Sequence, residues 1–307
     1  MTLGSGKSML REWTPRPLRA AVRRVRPRPL RPPIHTADQV AALSLTPESS
    51  DFITGNSLAH HCRYVLNWDA LYVNQEVDNN WWFCRPEWLD YFFRELAPRD
   101  DFVLFTSNSD ASIGADVAAN MDRRNQLVAW FGANIAVDRP NLFAFPLGIS
   151  DPHWPHGDGA VLKSVQAAMI ERTTLVDAGF DPDMNPVERR RCLELTGFAP
   201  TPQKPFAEYL KDLRTSYFSL SPAGDGIDTH RTWEALYLGT VPVVTRSVLT
   251  EQHPDLPMVV LDDWAEFSSI SFSPELHEEL MSGWDPAALA LDRYLERVRA
   301  KIRELSA

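Results

Sequence analysis

Three features of this 307-residue chain predict an α/β fold built on parallel sheets. One is the stretch Tyr217 to Thr245, YFSLSPAGDGIDTHRTWEALYLGTVPVVT, which reads as strand, glycine-bearing loop, helix and strand. A second is a set of short apolar runs, Phe102 to Thr106, Leu127 to Phe131 and Leu142 to Phe145, which read as buried strands. The third is the alternation of such runs with amphipathic helical stripes, the pattern by which helices connect parallel strands.

The central unit carries the most chemistry. Tyr217 to Leu220 is an apolar run that stops at Ser221-Pro222, and Gly224 and Gly226 lie in the loop that follows. A helix begins near Asp228, its natural N-cap, carries Trp233, Leu236 and Tyr237 at helical spacing, and ends against Gly239. Val241 to Thr245 is the next strand. In such a unit the crevice lies where the first strand ends and the helix begins. Glycines there let the backbone approach a ligand closely, and the positive end of the helix dipole favours an anion. His230, Arg231 and Glu234 crowd the helix start. The planar fork of Arg231 suits a phosphate, and the Glu234 carboxylate, one turn deeper, suits ribose hydroxyls, so a nucleotide is the expected ligand. The plainer alternative is a packing turn followed by a surface ion pair worth about 0.2 to 0.5 kcal/mol.

The run SPAGDGIDTHRTWEALYLGTVPVV resembles the donor-binding segment of exostosin-like (GT47-type) glycosyltransferases, as written in bacterial members. Ser221, Pro222, Gly224, Gly226, Asp228, His230, Arg231, Trp233, Glu234 and Ala235 stand at the matching positions, while Asp225 and Ala223 depart from the usual Asn and basic residue. FVLFTSNSD, WFGAN and RPNLFAFPLGISDPHWPHG resemble further segments of that family, so that the likeness covers roughly residues 64 to 246. It implies a GT-B architecture, with two Rossmann-like domains facing a cleft. It also implies transfer of a sugar from a nucleotide donor, most simply a uridine diphosphate sugar, to a glycan or lipid-linked acceptor.

Composition narrows the remaining classes. The hydrophobic content of 44% supports a substantial core, and no apolar run is long enough to span a membrane. Cys62, Cys84 and Cys192 are scattered and odd in number, which argues for a reducing compartment, and the expected location is the cytoplasm. Residues 1 to 35 hold Lys7 and eight arginines against Glu12, a net of +8 that leaves −18 for the rest of a chain whose total is −10. An acidic body argues against nucleic acid as a partner. The Arg- and Pro-rich segment 1–35 is expected to be a disordered tail, with peripheral attachment to an anionic membrane, at its inner face, as its functional alternative. Gly4-Ser5-Gly6-Lys7-Ser8 mimics the end of a Walker A loop, but no strand leads into it, which weighs against a kinase or ATPase.

Along the rest of the chain, Trp88, Phe92 and Leu96 predict an amphipathic helix. Residues 36–157 are expected to form a Rossmann-like acceptor domain and residues 158–284 a Rossmann-like donor domain, with Gly157-Asp158-Gly159 as the hinge. Residues 285–307 are expected to be a helix packing back across it, capped by Asp285 with Pro286 at its first position and buried through Leu291, Leu295, Val298, Ile302 and Leu305. Asn108, Asp110, Asp151, His153 and His156 fall at or just beyond strand ends. There an acceptor would bind and one of them, Asp110 first, would serve as the base. Thr173 to Phe180 reads as a strand. Asn185 and Arg189 then resemble the family's donor-side loop, with Arg189 facing the same cleft as Arg231.

Asp181-Pro182-Asp183 leaves open a metal-dependent GT-A reading. A nucleotide-binding module without transfer activity is the other alternative. The favoured reading has no metal and no cofactor beyond the donor, because Arg231 and the glycine loop would neutralise the departing diphosphate. It requires that the loop open onto the cleft with Arg231 facing it.

Overall fold

The computed structural model describes residues 34–35, 51–67 and 70–307, with residues 34–35 described only by their backbone. The expectations for residues 1–33, the basic tail and the Walker-like pentapeptide, lie outside the described residues. The first sheet contains β1 (Ile34–His35), β2 (Tyr64–Leu66), β3 (Leu71–Val73), β4 (Trp81–Cys84), β5 (Phe102–Thr106), β6 (Leu127–Gly132) and β7 (Leu142–Ala144), in the order β1-β3-β2-β4-β5-β6-β7. Its pairs are parallel except β2 with β3. The second sheet, all parallel, contains β8 (Thr174–Asp177), β9 (Ser216–Leu220), β10 (Val241–Thr245) and β11 (Val259–Leu261), in the order β11-β10-β9-β8. Two parallel-dominated α/β units are therefore present, as a GT-B type fold requires.

Local chemistry explains most of the elements. Every residue of β5 is buried, because helices and loops cover both faces of a parallel sheet and permit an unbroken apolar run. Helix α1 (Gly55–His60) starts in a capping box made by Thr54 and Ser57. Asp158 accepts hydrogen bonds from Ala160 and Val161 at the start of α2 (Gly159–Ala167). Helix α3 (Pro186–Thr196) is capped by Asn185 and ends at the left-handed Gly197. Helices α4 (Phe206–Thr215) and α5 (His230–Tyr237) flank β9, and α6 (Val248–Gln252) follows β10. Helix α7 (Pro274–Met281) packs on β9 and β10, and α8 (Leu291–Leu305) closes the chain.

One continuous apolar cluster joins the two halves. It runs from Phe105, Phe145 and Leu147 of the first to Trp233, Leu236 and Tyr237 on α5 and to Leu291, Tyr294 and Val298 on α8. The Tyr237 hydroxyl accepts from the Ile53 amide at 2.9 Å and donates to Leu289 O at 2.9 Å, and the Tyr294 ring meets Phe145 edge-on at 5.2 Å.

Two expected elements differ in form, and three strands lie where none was predicted. The stripe through Trp88, Phe92 and Leu96 is a 3-10 turn, an α turn and a π turn in succession. Trp88, Leu89, Phe92 and Phe93 are all buried, so the apolar face is kept although the helix is irregular. The last helix breaks at Ala290, which is extended at φ −60°, ψ 135°, so that Asp285 caps only the short turn Pro286–Leu289. Leu289 and Leu291 are both buried, and residues two apart on a continuous helix could not both face that core. Strands β2 to β4 lie where the sequence pattern was mixed, because strands of three or four residues carry too few positions to show a period. Cys62, Cys84 and Cys192 are free and buried.

Candidate functional site

The C-terminal ends of β6 and β7 in the first sheet and of β10 in the second line one pocket, and the loop from Ser221 to Thr229, which follows β9, borders it. Asn134, just beyond β6, organises the meeting. In a left-handed conformation (φ 58°), it accepts the Asp228 amide on Oδ1 at 2.8 Å and donates from Nδ2 to Ser109 O at 2.9 Å. A Cβ at position 226 would lie 2.7 Å from Asn134 Oδ1, so Gly226 is required by this close approach rather than by its backbone angles.

Asp228 does not cap α5. Thr229 is the residue at the N-cap, with no side-chain cap bond. The Asp228 carboxylate instead reaches across the interface, accepting the Leu147 amide at 2.9 Å and Trp233 Nε1 at 2.9 Å. Burial pushes it up to about 7, against the pull of these donors.

Arg231 and Glu234 also point away from the expected ligand. The Arg231 side chain is 6% exposed and donates to Leu220 O at 2.7 Å and Gly179 O at 2.9 Å, while pairing with the Asp177 carboxylate. It thus fastens the ends of β8 and β9 to α5 and lies 5.4 Å from the Tyr209 ring centre. Glu234 is buried and accepts from the Tyr209 hydroxyl at 2.7 Å, and burial raises it to about 7. In place of the expected phosphate and ribose contacts, and of the plainer surface ion pair, the two side chains enter an internal network, because α5 is buried through Arg231 to Tyr237. Neither Arg231 nor Glu234 lines the crevice pocket.

The glycine loop borders the pocket through Ala223, Ile227 and Asp228, while Gly224 and Gly226 are themselves buried. Arg189 donates to Ala223 O at 3.1 Å and to Asp181 O at 2.9 Å, and Asn185 donates to Gly224 O at 2.9 Å. In a trans peptide the carbonyl and the following N–H point in opposite directions, so drawing both carbonyls toward α3 turns the amides of Gly224 and Asp225 the other way. Among the described residues, the amides of Gly224, Gly226 and Ile227 enter no backbone hydrogen bond. Arg189, expected to face the ligand, is buried behind the loop it props.

Beside this loop lies a partly open pocket lined by Gly132, Asn134, Ser221, Asp228, Thr232 and Arg246, among others, with a volume of about 60 Å³. Arg246, which the sequence did not single out, pairs with Asp262 at 2.5 Å on the rim. Ser221 is buried, its amide bonded to Val243 O at 2.9 Å.

The acceptor-side candidates form a second group. Asp151 is buried and accepts the Asn56 amide at 2.8 Å, and burial raises it despite that bond. Asn108, left-handed at φ 59°, donates to Asn56 Oδ1 at 3.3 Å. Asp110, His153 and His156 are exposed, and the Trp154 ring lies between the two histidines at 5.1 and 6.4 Å. His230 faces this group rather than the glycine loop. Its Nδ1 lies 2.7 Å from the carbonyl oxygen of Gly148, whose φ of 68° is reached readily only by glycine. Burial pushes His230 down to about 4, with Asp110 and His156 acting on it in opposite directions.

The Asp-Pro-Asp motif is occupied by the protein itself. Asp181 accepts from the Asp183 amide and from Gln203 Nε2, each at 2.9 Å, and Asp183 pairs with Arg190 at 2.6 Å. Among the described residues, no three His, Cys, Asp or Glu side chains converge as metal ligands, and no helix is long and apolar enough to cross a membrane.

No protein-family model and no curated protein matches the chain. Among solved structures the chain is similar to an α,α-trehalose-phosphate synthase (UDP-forming) from Burkholderia vietnamiensis, with a TM-score of 0.41 at 10% identity over 74% of this chain and 72% of that one. A likeness this loose says nothing of donor or acceptor.

Proposed function

We propose that this chain is a glycosyltransferase that moves a sugar from a nucleotide-sugar donor, a uridine diphosphate sugar first among them, to a glycan or lipid-linked acceptor. The observation that carries the reading is the orientation of the Gly224–Gly226 loop. Arg189 and Asn185 hold its carbonyls on one side, which turns the Gly224 and Asp225 amides to the other, on a loop that borders the pocket through Ala223 and Ile227. Backbone donors fixed in advance suit a diphosphate whose charge grows as the sugar departs. Arg231 and Glu234 then act by positioning, holding the strand ends and α5 behind the loop, and Arg246 is the cation at the pocket rim.

Thermal-shift titration with UDP and UDP-sugars tests the reading, since a ligand at 100 times its Kd stabilises by ~2.7 kcal/mol. Gly226→Ala is expected to abolish the shift, because its methyl group would collide with Asn134 and displace the loop. The proposal fails if no nucleotide sugar shifts the wild type, or if Gly226→Ala binds as well as wild type. Turnover is expected to persist in EDTA; its loss there, with recovery on adding a divalent cation, would favour a metal-dependent transferase.

A further inference from the structure

His230 combines three features that the donor reading leaves unexplained. Its Nδ1 is fixed on Gly148 O at 2.7 Å, and a carbonyl can only accept, so this nitrogen carries the hydrogen and Nε2 carries the lone pair. Among the described residues Nε2 has no hydrogen-bond partner, and the half-buried ring leaves this nitrogen in contact with solvent. The ring also stands where the two halves meet. It begins α5 beside the glycine loop, and it lies within electrostatic reach of Asp110 after β5 and His156 in the loop after Gly148. Trp154, 40% exposed beside His156, offers that side an apolar ring face on which a pyranose can stack.

We propose that His230 is the proton acceptor of the transfer, with Nε2 receiving the proton of the acceptor hydroxyl, a role that rests on the glycosyltransferase reading above. In one displacement the acceptor oxygen bonds to the anomeric carbon. The bond from that carbon to the diphosphate oxygen breaks, its electron pair leaves with the diphosphate, and the hydroxyl proton ends on Nε2. Asp110, exposed on the neighbouring loop, supports the imidazolium by its charge instead of taking the proton itself. His156 opposes it.

The full chain is assayed for UDP release from UDP-glucose, UDP-galactose, UDP-N-acetylglucosamine and UDP-glucuronate, with methyl glycosides as acceptors and UDP affinity measured in parallel. His230→Asn places an amide nitrogen near the position of Nδ1, keeping the Gly148 bond while deleting the Nε2 lone pair. It is expected to lower kcat by roughly 10²- to 10⁴-fold, the usual contribution of a general base, with UDP affinity and folding unchanged. The wild-type acid limb of kcat is expected below the ordinary imidazole range. Asp110→Asn should move it lower and His156→Asn higher, and His230→Asn should abolish it; a role confined to structure would move none of these. If wild type turns over and His230→Asn stays within about tenfold of it, the base assignment alone falls. If neither UDP nor any other nucleoside diphosphate or nucleotide sugar binds, the glycosyltransferase reading falls and takes this one with it. UDP binding without release from any donor overturns both in favour of a nucleotide-binding module.

Discussion

Residues 230 and 231 are neighbours at the start of α5, yet they do opposite things. Arg231 turns into the second sheet, where its donors tie the ends of β8 and β9, while His230 turns toward the first half and leaves one ring nitrogen open to solvent. Successive helical residues project about 100° apart, so a helix wedged between two sheets sends them to different environments. The charged member of the pair, which looks more like a ligand contact on paper, is the one that became structure. A buried guanidinium needs its carboxylate and carbonyl partners, and once it has them it is not available to a substrate.

Arg231→Ala should break this contrast most severely. It leaves the Asp177 carboxylate, 15% exposed, without its cation and two carbonyls without donors, and should destabilise by about 3–5 kcal/mol in urea unfolding. A surface phosphate ligand would instead lose affinity at unchanged stability. Asp228→Asn should come next. An amide oxygen in the place of Oδ2 can still accept from Leu147 and Trp233 Nε1, but the amide nitrogen then stands where Oδ1 accepted from the same Trp233 N–H, a buried donor facing a donor, at about 1–3 kcal/mol, with a matching fall in Tm.

Glu234→Gln should cost least, because the amide oxygen can still accept from Tyr209, and its effect should show in the pH dependence. The folded-state value of Glu234 is raised from 4.5 to about 7, so the folded protein holds this proton where the unfolded chain has released it. Its contribution to stability is therefore present below about 4.5 and lost as pH rises toward about 7. Denaturant unfolding across that window should show a slope in wild type that Glu234→Gln flattens. An identical slope in the variant would assign the proton to another group, with Asp228, also raised to about 7, first in line.

Much of the architecture was legible because it is local. Phe102–Thr106 and Val241–Thr245 form strands at the expected residues, since an apolar run bounded by polar residues needs no distant partner to be read. The glycine loop was legible as a close approach, though the group that approaches Gly226 is Asn134 of the same chain. Asn134 itself stood in the quoted WFGAN segment, but nothing local revealed that its side chain would bridge Ser109 and Asp228. Asp228 and Asp285 show the same limit at helix starts. Both have the chemistry of a cap, but one carboxylate is claimed by Leu147 and Trp233, and the other caps a turn cut short at Ala290.

The sequence by itself determined that strands alternate with helices, where the loop of the central unit lies, and which polar residues gather at strand ends. These follow from periodicity, from glycine and proline, and from capping chemistry, all of which act within a few residues. The tertiary structure alone decided which of those polar residues face solvent and which face one another. Arg231 became a strut, Arg189 a prop behind the loop, and His230 the ring with a free nitrogen. The direction of a side chain is set by the sheet or loop that packs against it from elsewhere in the chain, and no local pattern encodes that neighbour.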